Sequence, residues 1–164
     1  MNIMILTLLV SLAPEKWFVV NDGVMGGVSS GSIARSDNGL LFSGELSLEN
    51  NGGFASVRTL VQEVESNAGL VRIEVRGDGR SYQFRIRQDD RFDGIAWSAP
   101  FDTSPDWSEV ELPLSDFEPV FRGRSVPQAG PVVPERISQV GFLLADKNPG
   151  PFSLEVRSIE LLAK

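Results

Sequence analysis

Short runs of apolar residues alternate with polar positions along this chain, and glycines and prolines end each run before it becomes long. There are 16 glycines and 10 prolines in 164 residues, and no segment keeps the 3.6-residue apolar spacing of a helix with several turns. The pattern predicts an all-β protein. Many short strands in a chain of this length favour one domain over residues 1–164, built as a two-sheet antiparallel β-sandwich or jelly roll.

The clearest alternation, over residues 40–48, ends at Asn51-Gly52, a pair favoured in tight hairpin turns. A hairpin that closes there has one apolar face and places Glu45 opposite Arg58 on the other face. We therefore predict an ion pair between these two side chains.

A second hairpin is predicted at Asp78-Gly79, which separates VRIEVR from SYQFRIR. A two-residue turn aligns three apolar pairs on one face and places Arg72 opposite Arg85 on the other. Because like charges directly across a ladder are destabilising, these arginines are expected to have an anionic neighbour or a ligand.

The remaining segments follow the same rules. Strands are predicted at residues 18–20, 95–101, 108–112, 137–144 and 152–162. The last of these changes parity midway, which predicts a β-bulge near Arg157 and Ser158. Residues 112–117 are predicted to form a turn or a single helical turn, and the proline-rich residues 118–136 a long loop. The apolar opening run NIMILTLLVSLA is too short to cross a bilayer and is predicted to form a buried first strand.

The amino-acid composition excludes several kinds of catalytic and metal-binding site. There is no cysteine and no histidine, which removes thiolate and imidazole nucleophiles, bases and zinc ligands together. We therefore predict no catalytic residue and no cofactor. We also predict no metal site, with a structural calcium bound by hard aspartate oxygens as the alternative; its candidate ligands are Asp22, Asp89, Asp90, Asp93 and Asp146. The net charge of −7 makes nucleic acid an unexpected partner, and membrane insertion is not expected.

The segment NDGVMGGVS, residues 21–29, turns twice around Met25 and carries Asp22 as its only charge. One interpretation is a loop that presents Asp22, Met25 and backbone amides to a ligand. The alternative is a structural crossover between sheets in which Met25 serves as an apolar plug.

Five arginines and one turn residue complete the candidate binding set, because a guanidinium binds carboxylates and phosphates through a planar fork of donors. They are Asn51, Arg58, Arg72, Arg85, Arg122 and Arg124. Structural alternatives remain open, since neighbouring carboxylates can pair with the strand arginines and the last two flank Gly123 in the predicted loop. Trp17, Trp97 and Trp107 are predicted to pack in the core, with a sugar-stacking platform as the alternative.

Several longer motifs occur in a fixed order from about Trp17 to Leu162. They are NDGVMGGVS, LLFSGELSLENNGGFASVR, VRGDGRSYQFRIR, WSEVELPLSDFEPVFRGR, VGFLLAD and FSLEVRSIELL. Together they resemble the complex I intermediate-associated protein 30 family. The resemblance implies a galactose-binding-like jelly roll and an assembly factor without established catalytic residues, since mitochondrial members assist the assembly of respiratory NADH:ubiquinone oxidoreductase.

This resemblance sets the functional expectation. We expect a non-catalytic protein-interaction module of the assembly-factor or chaperone type, with a protein client as its partner. A carbohydrate-binding module is the alternative, and RNA binding through the arginine-rich hairpin is a further alternative that the net charge of −7 disfavours. The sequence has no mitochondrial transit extension and no G-x-G-x-x-G motif, so a cytoplasmic, bacterial-type, single-domain form is predicted.

Overall fold

Two antiparallel sheets face each other across one apolar core. The computed structural model of the protein describes residues 4–91 and 93–163 and, within them, every side chain except those of Val24 and Met25. The predicted all-β, two-sheet antiparallel sandwich is confirmed.

The strands take their bounds from the alternating segments. They are β1 (Ile5–Leu9), β2 (Trp17–Val19), β3 (Ser30–Arg35), β4 (Leu40–Leu46), β5 (Ala55–Leu60), β6 (Ala68–Gly77), β7 (Ser81–Arg87), β8 (Ala96–Asp102), β9 (Ser108–Pro113), β10 (Glu118–Phe121), β11 (Arg124–Ser125), β12 (Gln139–Leu144) and β13 (Gly150–Ala163). Single 3-10 turns lie at Pro14–Lys16, Asp22–Met25, Glu49–Asn51, Leu114–Asp116, Pro127–Ala129 and Pro134–Arg136. The single helical turn predicted within residues 112–117 is therefore present.

The sheets divide the strands unequally. The six-stranded sheet has the order β3-β4-β13-β6-β9, with β1 also paired to β13, and the seven-stranded sheet has the order β11-β10-β8-β7-β12-β5-β2. Inward-facing side chains from both sheets form the core, in which the rings of Phe84 and Phe142 meet edge to face with centroids 5.3 Å apart.

Both predicted hairpins are wrong, because the strands of each pair belong to different sheets. β4 pairs with β3 and β13, whereas β5 pairs with β12 and β2, so Glu45 does not lie opposite Arg58. In the same way β6 and β7 lie in opposite sheets, and Arg72 does not lie opposite Arg85. The predicted inward parity of these strands is nevertheless correct, because facing strands of a sandwich point their apolar side chains at the same core.

The predicted bulge in the last strand is confirmed. The pairing of β13 with β6 shifts register between Val156 and Ser158. Val156 and Ile159 are both fully buried, although two residues lie between them, whereas residues on one face of a regular strand are separated by one. The extra residue therefore returns the second half of β13 to the core face.

The opening run forms the predicted strand, but the prediction that it is buried is wrong. Ile5, Leu6 and Leu9 are each about half exposed or more, at 60%, 49% and 62%. β1 pairs only with the last residues of β13 and lies at the edge of its sheet, so one side of it faces solvent.

The segment 118–136 is not one long loop. It contains the hairpin of β10 and β11, which pairs Phe121 with Arg124 across a two-residue turn. The turn residues Arg122 and Gly123 both have positive φ, at 51° and 78°, as a type I′ turn requires. The sequence gives little indication of this turn, because asparagine or aspartate, and not arginine, is the usual residue before the glycine of a type I′ turn.

The centre of the seven-stranded sheet depends on Gly141 in β12. A Cβ added at this position would collide with the backbone carbonyl oxygen of Val57 on β5. We expect Gly141→Ala to lower the free energy of unfolding by about 2 kcal/mol, as over-packing does, measured by urea denaturation.

Gly69→Ala is the matched control. Gly69 also lies in a strand, β6, but the nearest atom to an added Cβ is the carbonyl oxygen of Leu162 at 4.0 Å. A neutral or slightly stabilising effect is expected there. Equal effects of the two substitutions would contradict the close approach of β12 and β5.

Candidate functional site

Three arginines converge on the outer face of the seven-stranded sheet. Gly141 on β12 is the register partner of Arg58 on β5 and of Arg85 on β7, so it separates them without a side chain of its own. Arg87 lies two residues further along β7 and points to the same face. We call Arg58, Arg85 and Arg87 the arginine cluster. Together with Gly141 they line one shallow depression.

Neutral groups accept the hydrogen bonds of two members of the cluster. Arg85 donates through Nε and Nη2 to Oε1 of Gln83, at 3.2 and 2.9 Å. Arg87 donates through Nη1 to the carbonyl oxygen of Gly94 at 2.9 Å. Within residues 4–91 and 93–163, no carboxylate lies within 4.0 Å of either guanidinium. The positive charge of Arg85 and Arg87 is therefore not neutralised by direct contact.

Burial makes this concentration of charge unfavourable. Arg58 and Arg87 are only 8% and 9% exposed. Burial, with the neighbouring charges of Arg87 and Arg85, lowers the pKa of Arg58 to about 10, although Asp93 opposes the shift. Burial and the charge of Arg87 lower the pKa of Arg85 to about 10 as well. An anion bound at the cluster would relieve this repulsion.

Apolar side chains border the cluster on one side. Phe18 on β2 is the register partner of Arg58 and is 39% exposed. Leu60, two residues beyond Arg58 on β5, is 59% exposed. The outer face of the seven-stranded sheet therefore combines positive charge with accessible apolar surface.

The outer face of the six-stranded sheet is different, because its arginines have carboxylate partners. Arg72 contacts Glu160 at 3.4 Å and Glu109 at 4.0 Å. Arg76 donates to Glu155 at 2.8 Å, and Arg157 pairs with Glu74. The anionic neighbour expected for Arg72 is therefore supplied by adjacent strands, on the side of the sandwich opposite to Arg85.

The tryptophans do not form one platform. Trp17 and Trp97 are buried, as predicted, and donate through Nε1 to the carbonyl oxygens of Ser11 and Gly130, both at 2.9 Å. Trp107 is half-buried and lies between two guanidiniums, with Arg157 4.2 Å and Arg76 4.8 Å from its ring centroid. It contributes to the charged outer face of the six-stranded sheet instead of the core.

The loop arginines lie near the rim of the seven-stranded sheet. Arg122 donates to Asp93 at 2.7 Å with its side chain 70% exposed. Asp93 also acts electrostatically on Arg58, which links Arg122 to the edge of the cluster. Arg124 is exposed on the edge strand β11.

Asp22 forms a buried clasp at one end of the sandwich. Its carboxylate is fully buried and accepts hydrogen bonds from the amide of Ser29 at 3.0 Å, the hydroxyl of Ser29 at 2.6 Å, the amide of Gly53 at 2.7 Å and the amide of Phe54 at 3.3 Å. Burial would raise the pKa of Asp22, but these hydrogen bonds outweigh it and hold the pKa below its ordinary value. We call this arrangement the Asp22 clasp.

The Asp22 clasp leaves no space for a side chain at two positions that lie far apart in the sequence, and both positions are glycine. A Cβ on Gly27 would lie 2.7 Å from Oδ1 of Asp22, and a Cβ on Gly52 would lie 3.0 Å from its Cγ. Gly26 has a φ of 86°, which ends the 3-10 turn that begins at Asp22. NDGVMGGVS and NNGG thus enclose one carboxylate, as the crossover interpretation requires.

Two other candidates lie near this end. Asn51 is exposed in its 3-10 turn with a φ of 60°. The side chain of Met25 lies outside the described part of the structure. The binding roles of Asp22, Met25 and Asn51 remain predictions.

Arg87 and Gly141 line the same depression as Arg58 and Arg85, but they are not among the candidates predicted from the sequence. The signal for Arg87 was the alternation of Gln83, Arg85 and Arg87, which places all three on one face of a strand. Gly141 gave no signal, because only the three-dimensional pairing of β12 with both β5 and β7 places it between arginines.

Removing the charge of Asp22 tests the clasp. In Asp22→Asn one accepting oxygen becomes a donor that faces other donors, so we expect the free energy of unfolding to fall by roughly 2–3 kcal/mol at pH 7. Because the folded pKa is lowered, this stabilisation is complete above the ordinary value of 3.8 and is lost as the pH falls through the folded value. The difference between variant and parent should therefore narrow below pH 3.8 in urea denaturation series.

Asp90→Asn is the control, because Asp90 is exposed. It should change the unfolding free energy by less than about 0.5 kcal/mol. A difference for Asp22→Asn that stays constant with pH would show that the carboxylate charge does not stabilise the clasp.

Solved structures define the class of the fold. A family 11 carbohydrate-binding module of the cellulosomal cellulase Lic26A-Cel5E of Clostridium thermocellum matches with a TM-score of 0.67 and 16% identity, over 91% of this chain and 88% of that one. The same kind of module in complex with a β-1,3-1,4-mixed-linked tetrasaccharide matches with a TM-score of 0.64 and 17% identity, over 89% and 88% of the two chains. The protein is therefore a galactose-binding-like β-sandwich of the carbohydrate-binding-module type in its fold.

Sequence relatives define the family. The family model for complex I intermediate-associated protein 30 matches residues 10–156. The mitochondrial complex I intermediate-associated protein 30 of Mus musculus is 32% identical over 87% of this chain and 50% of its own length, and that of Drosophila melanogaster is 27% identical over 90% and 58%. The chain belongs to the complex I intermediate-associated protein 30 family. It spans about half the length of these curated relatives.

The prediction of a cytoplasmic, bacterial-type location is wrong. The curated relatives from Mus musculus, Drosophila melanogaster and Caenorhabditis elegans are all named as mitochondrial proteins.

The described helices are single 3-10 turns, and none has the length and apolar character of a membrane-spanning helix.

Proposed function

We propose that this domain is a non-catalytic binding module that associates with assembly intermediates of respiratory complex I. The observation that carries the proposal is its membership of the complex I intermediate-associated protein 30 family over residues 10–156. The absence of cysteine and histidine from the sequence supports binding over catalysis, because the usual nucleophiles and bases are missing.

The outer face of the seven-stranded sheet is the proposed client surface. It presents the arginine cluster beside exposed Phe18 and Leu60. Protein interfaces are enriched in aromatic side chains and in arginine, and this face presents both. On the other sheet the arginines are already paired with carboxylates, which makes that face a poorer site for a charged partner.

Carbohydrate binding has less support. The structural neighbours share the fold at under 20% identity, and a fold alone does not carry a function. Two of the three tryptophans are buried, and Trp107 lies between two arginines on the other sheet. RNA binding is disfavoured by the net charge of −7.

Affinity capture tests the proposal. The tagged chain, expressed in the organism that encodes it, should enrich subunits of partly assembled NADH:ubiquinone oxidoreductase, identified by mass spectrometry and by co-migration in native gels. Leu60→Asp should reduce this enrichment at least about fivefold, because it places a negative charge in the apolar border of the surface.

Leu9→Asp provides the matched control. Leu9 and Leu60 are similarly exposed, at 62% and 59%, but Leu9 lies on β1 in the other sheet. The control should capture as much as the parent chain. If the parent enriches no complex I subunit, the proposed function is wrong, and if both variants lose enrichment equally, the proposed surface is wrong.

A further inference from the structure

The arginine cluster concentrates positive charge around one depression in the outer face of the sheet. Its side chains arise from the neighbouring strands β5 and β7 and converge over Gly141 on β12, where no side chain separates them. Arg58 lies on β5, and Arg85 and Arg87 lie on β7, so the cluster spans the two strands that flank β12. A guanidinium can donate to a carboxylate through a planar fork of N–H groups.

The hydrogen bonds that Arg85 and Arg87 make within the protein do not neutralise their charge, so an anionic ligand could do so. Arg85 and Arg87 donate to an amide oxygen and a backbone carbonyl, which stabilise a cation less than a carboxylate does. Arg58 and Arg87 are at least nine-tenths buried, and like charge from Arg87 and Arg85 acts on Arg58. Burial lowers the pKa of both arginines, although Asp93 favours the charged form of Arg58 and Asp89 and Asp93 favour that of Arg87. Closely spaced, desolvated cations are the arrangement in which a bound anion gains most.

The surroundings indicate which anion fits. Exposed Phe18 and Leu60 border the cluster, so the anionic group must be joined to apolar surface. A polyanion such as RNA, or an anionic membrane, would be repelled by the protein's net charge of −7. An acidic side chain within a partly apolar protein segment satisfies both conditions.

We propose that the arginine cluster binds the carboxylate of a glutamate or aspartate from an acidic, partly apolar segment of a protein partner. This inference rests on the proposed function, because it names the chemistry by which the client surface recognises its client.

Peptide binding tests the proposal. Fluorescence anisotropy is measured with a fluorescein-labelled peptide, GLEELEELG, and with the matched peptide GLQQLQQLG. The acidic peptide should bind the parent protein at least about tenfold more tightly than its amide counterpart. Arg85→Gln and Arg87→Gln should each weaken acidic-peptide binding about tenfold and leave the amide peptide unaffected.

The controls separate a local site from overall charge and from misfolding. Arg72→Gln makes the same change in net charge on the other sheet, where Arg72 pairs with Glu160, and should bind like the parent. Arg85→Gln should fold, because the hydroxyl of Ser98 still donates to Oε1 of Gln83 at 2.7 Å. Arg85→Lys keeps the charge without the fork and should lose about threefold in affinity. Thermal melts of each variant check the fold.

Several results would overturn the proposal. These are equal binding of the two peptides, unchanged binding in both arginine variants that still fold, or preference for inorganic phosphate or a short RNA over the acidic peptide. If capture of complex I subunits persists while the arginine variants bind the peptide normally, the carboxylate assignment fails and the proposed function stands. If charge-dependent peptide binding occurs without capture, the site stands and the proposed client is wrong.

Discussion

A buried carboxylate that accepts hydrogen bonds from two separate loops joins the two sheets at one end of the sandwich. Asp22 accepts from the amides of Ser29, Gly53 and Phe54, and so joins the chain entering β3 of one sheet to the crossover that enters β5 of the other. A desolvated charge without these donors would cost several kcal/mol, so the two loops are stable only when both close around it.

The arginines on the two outer faces have different kinds of hydrogen-bond partner. On the six-stranded sheet, carboxylates on adjacent strands neutralise arginines, as between Arg76 and Glu155. On the seven-stranded sheet, Arg85 and Arg87 donate to neutral acceptors at the centre of the sheet. Stability alone does not favour such a cluster, since burial and repulsion both disfavour it. This is the reason for proposing the cluster as a binding site.

Sequence patterns predicted which side chains face the core but not which strands are neighbours. The parity of β6 and β7 and the bulge before Ile159 follow from alternation alone, because burial acts on each strand separately. Apolar and polar residues alternate in the same way in two strands of a hairpin and in two strands that face each other across a core. The pattern therefore does not distinguish these two arrangements. The Asp78-Gly79 turn therefore predicted a hairpin where the chain instead crosses between sheets. Arg58 and Arg85 were selected as candidates, but their meeting over Gly141 required the position of β12.

The proposed division of roles is that NDGVMGGVS stabilises the fold through the Asp22 clasp, whereas the arginine cluster binds the partner. Heteronuclear NMR of the protein during titration with the acidic peptide GLEELEELG can distinguish the two regions. We expect chemical-shift changes at the backbone amides of Arg58, Arg85 and Gly141, and none at those of Ser29 and Gly53, which donate to Asp22. Shifts concentrated at Ser29 and Gly53, with the arginine strands unchanged, would contradict it.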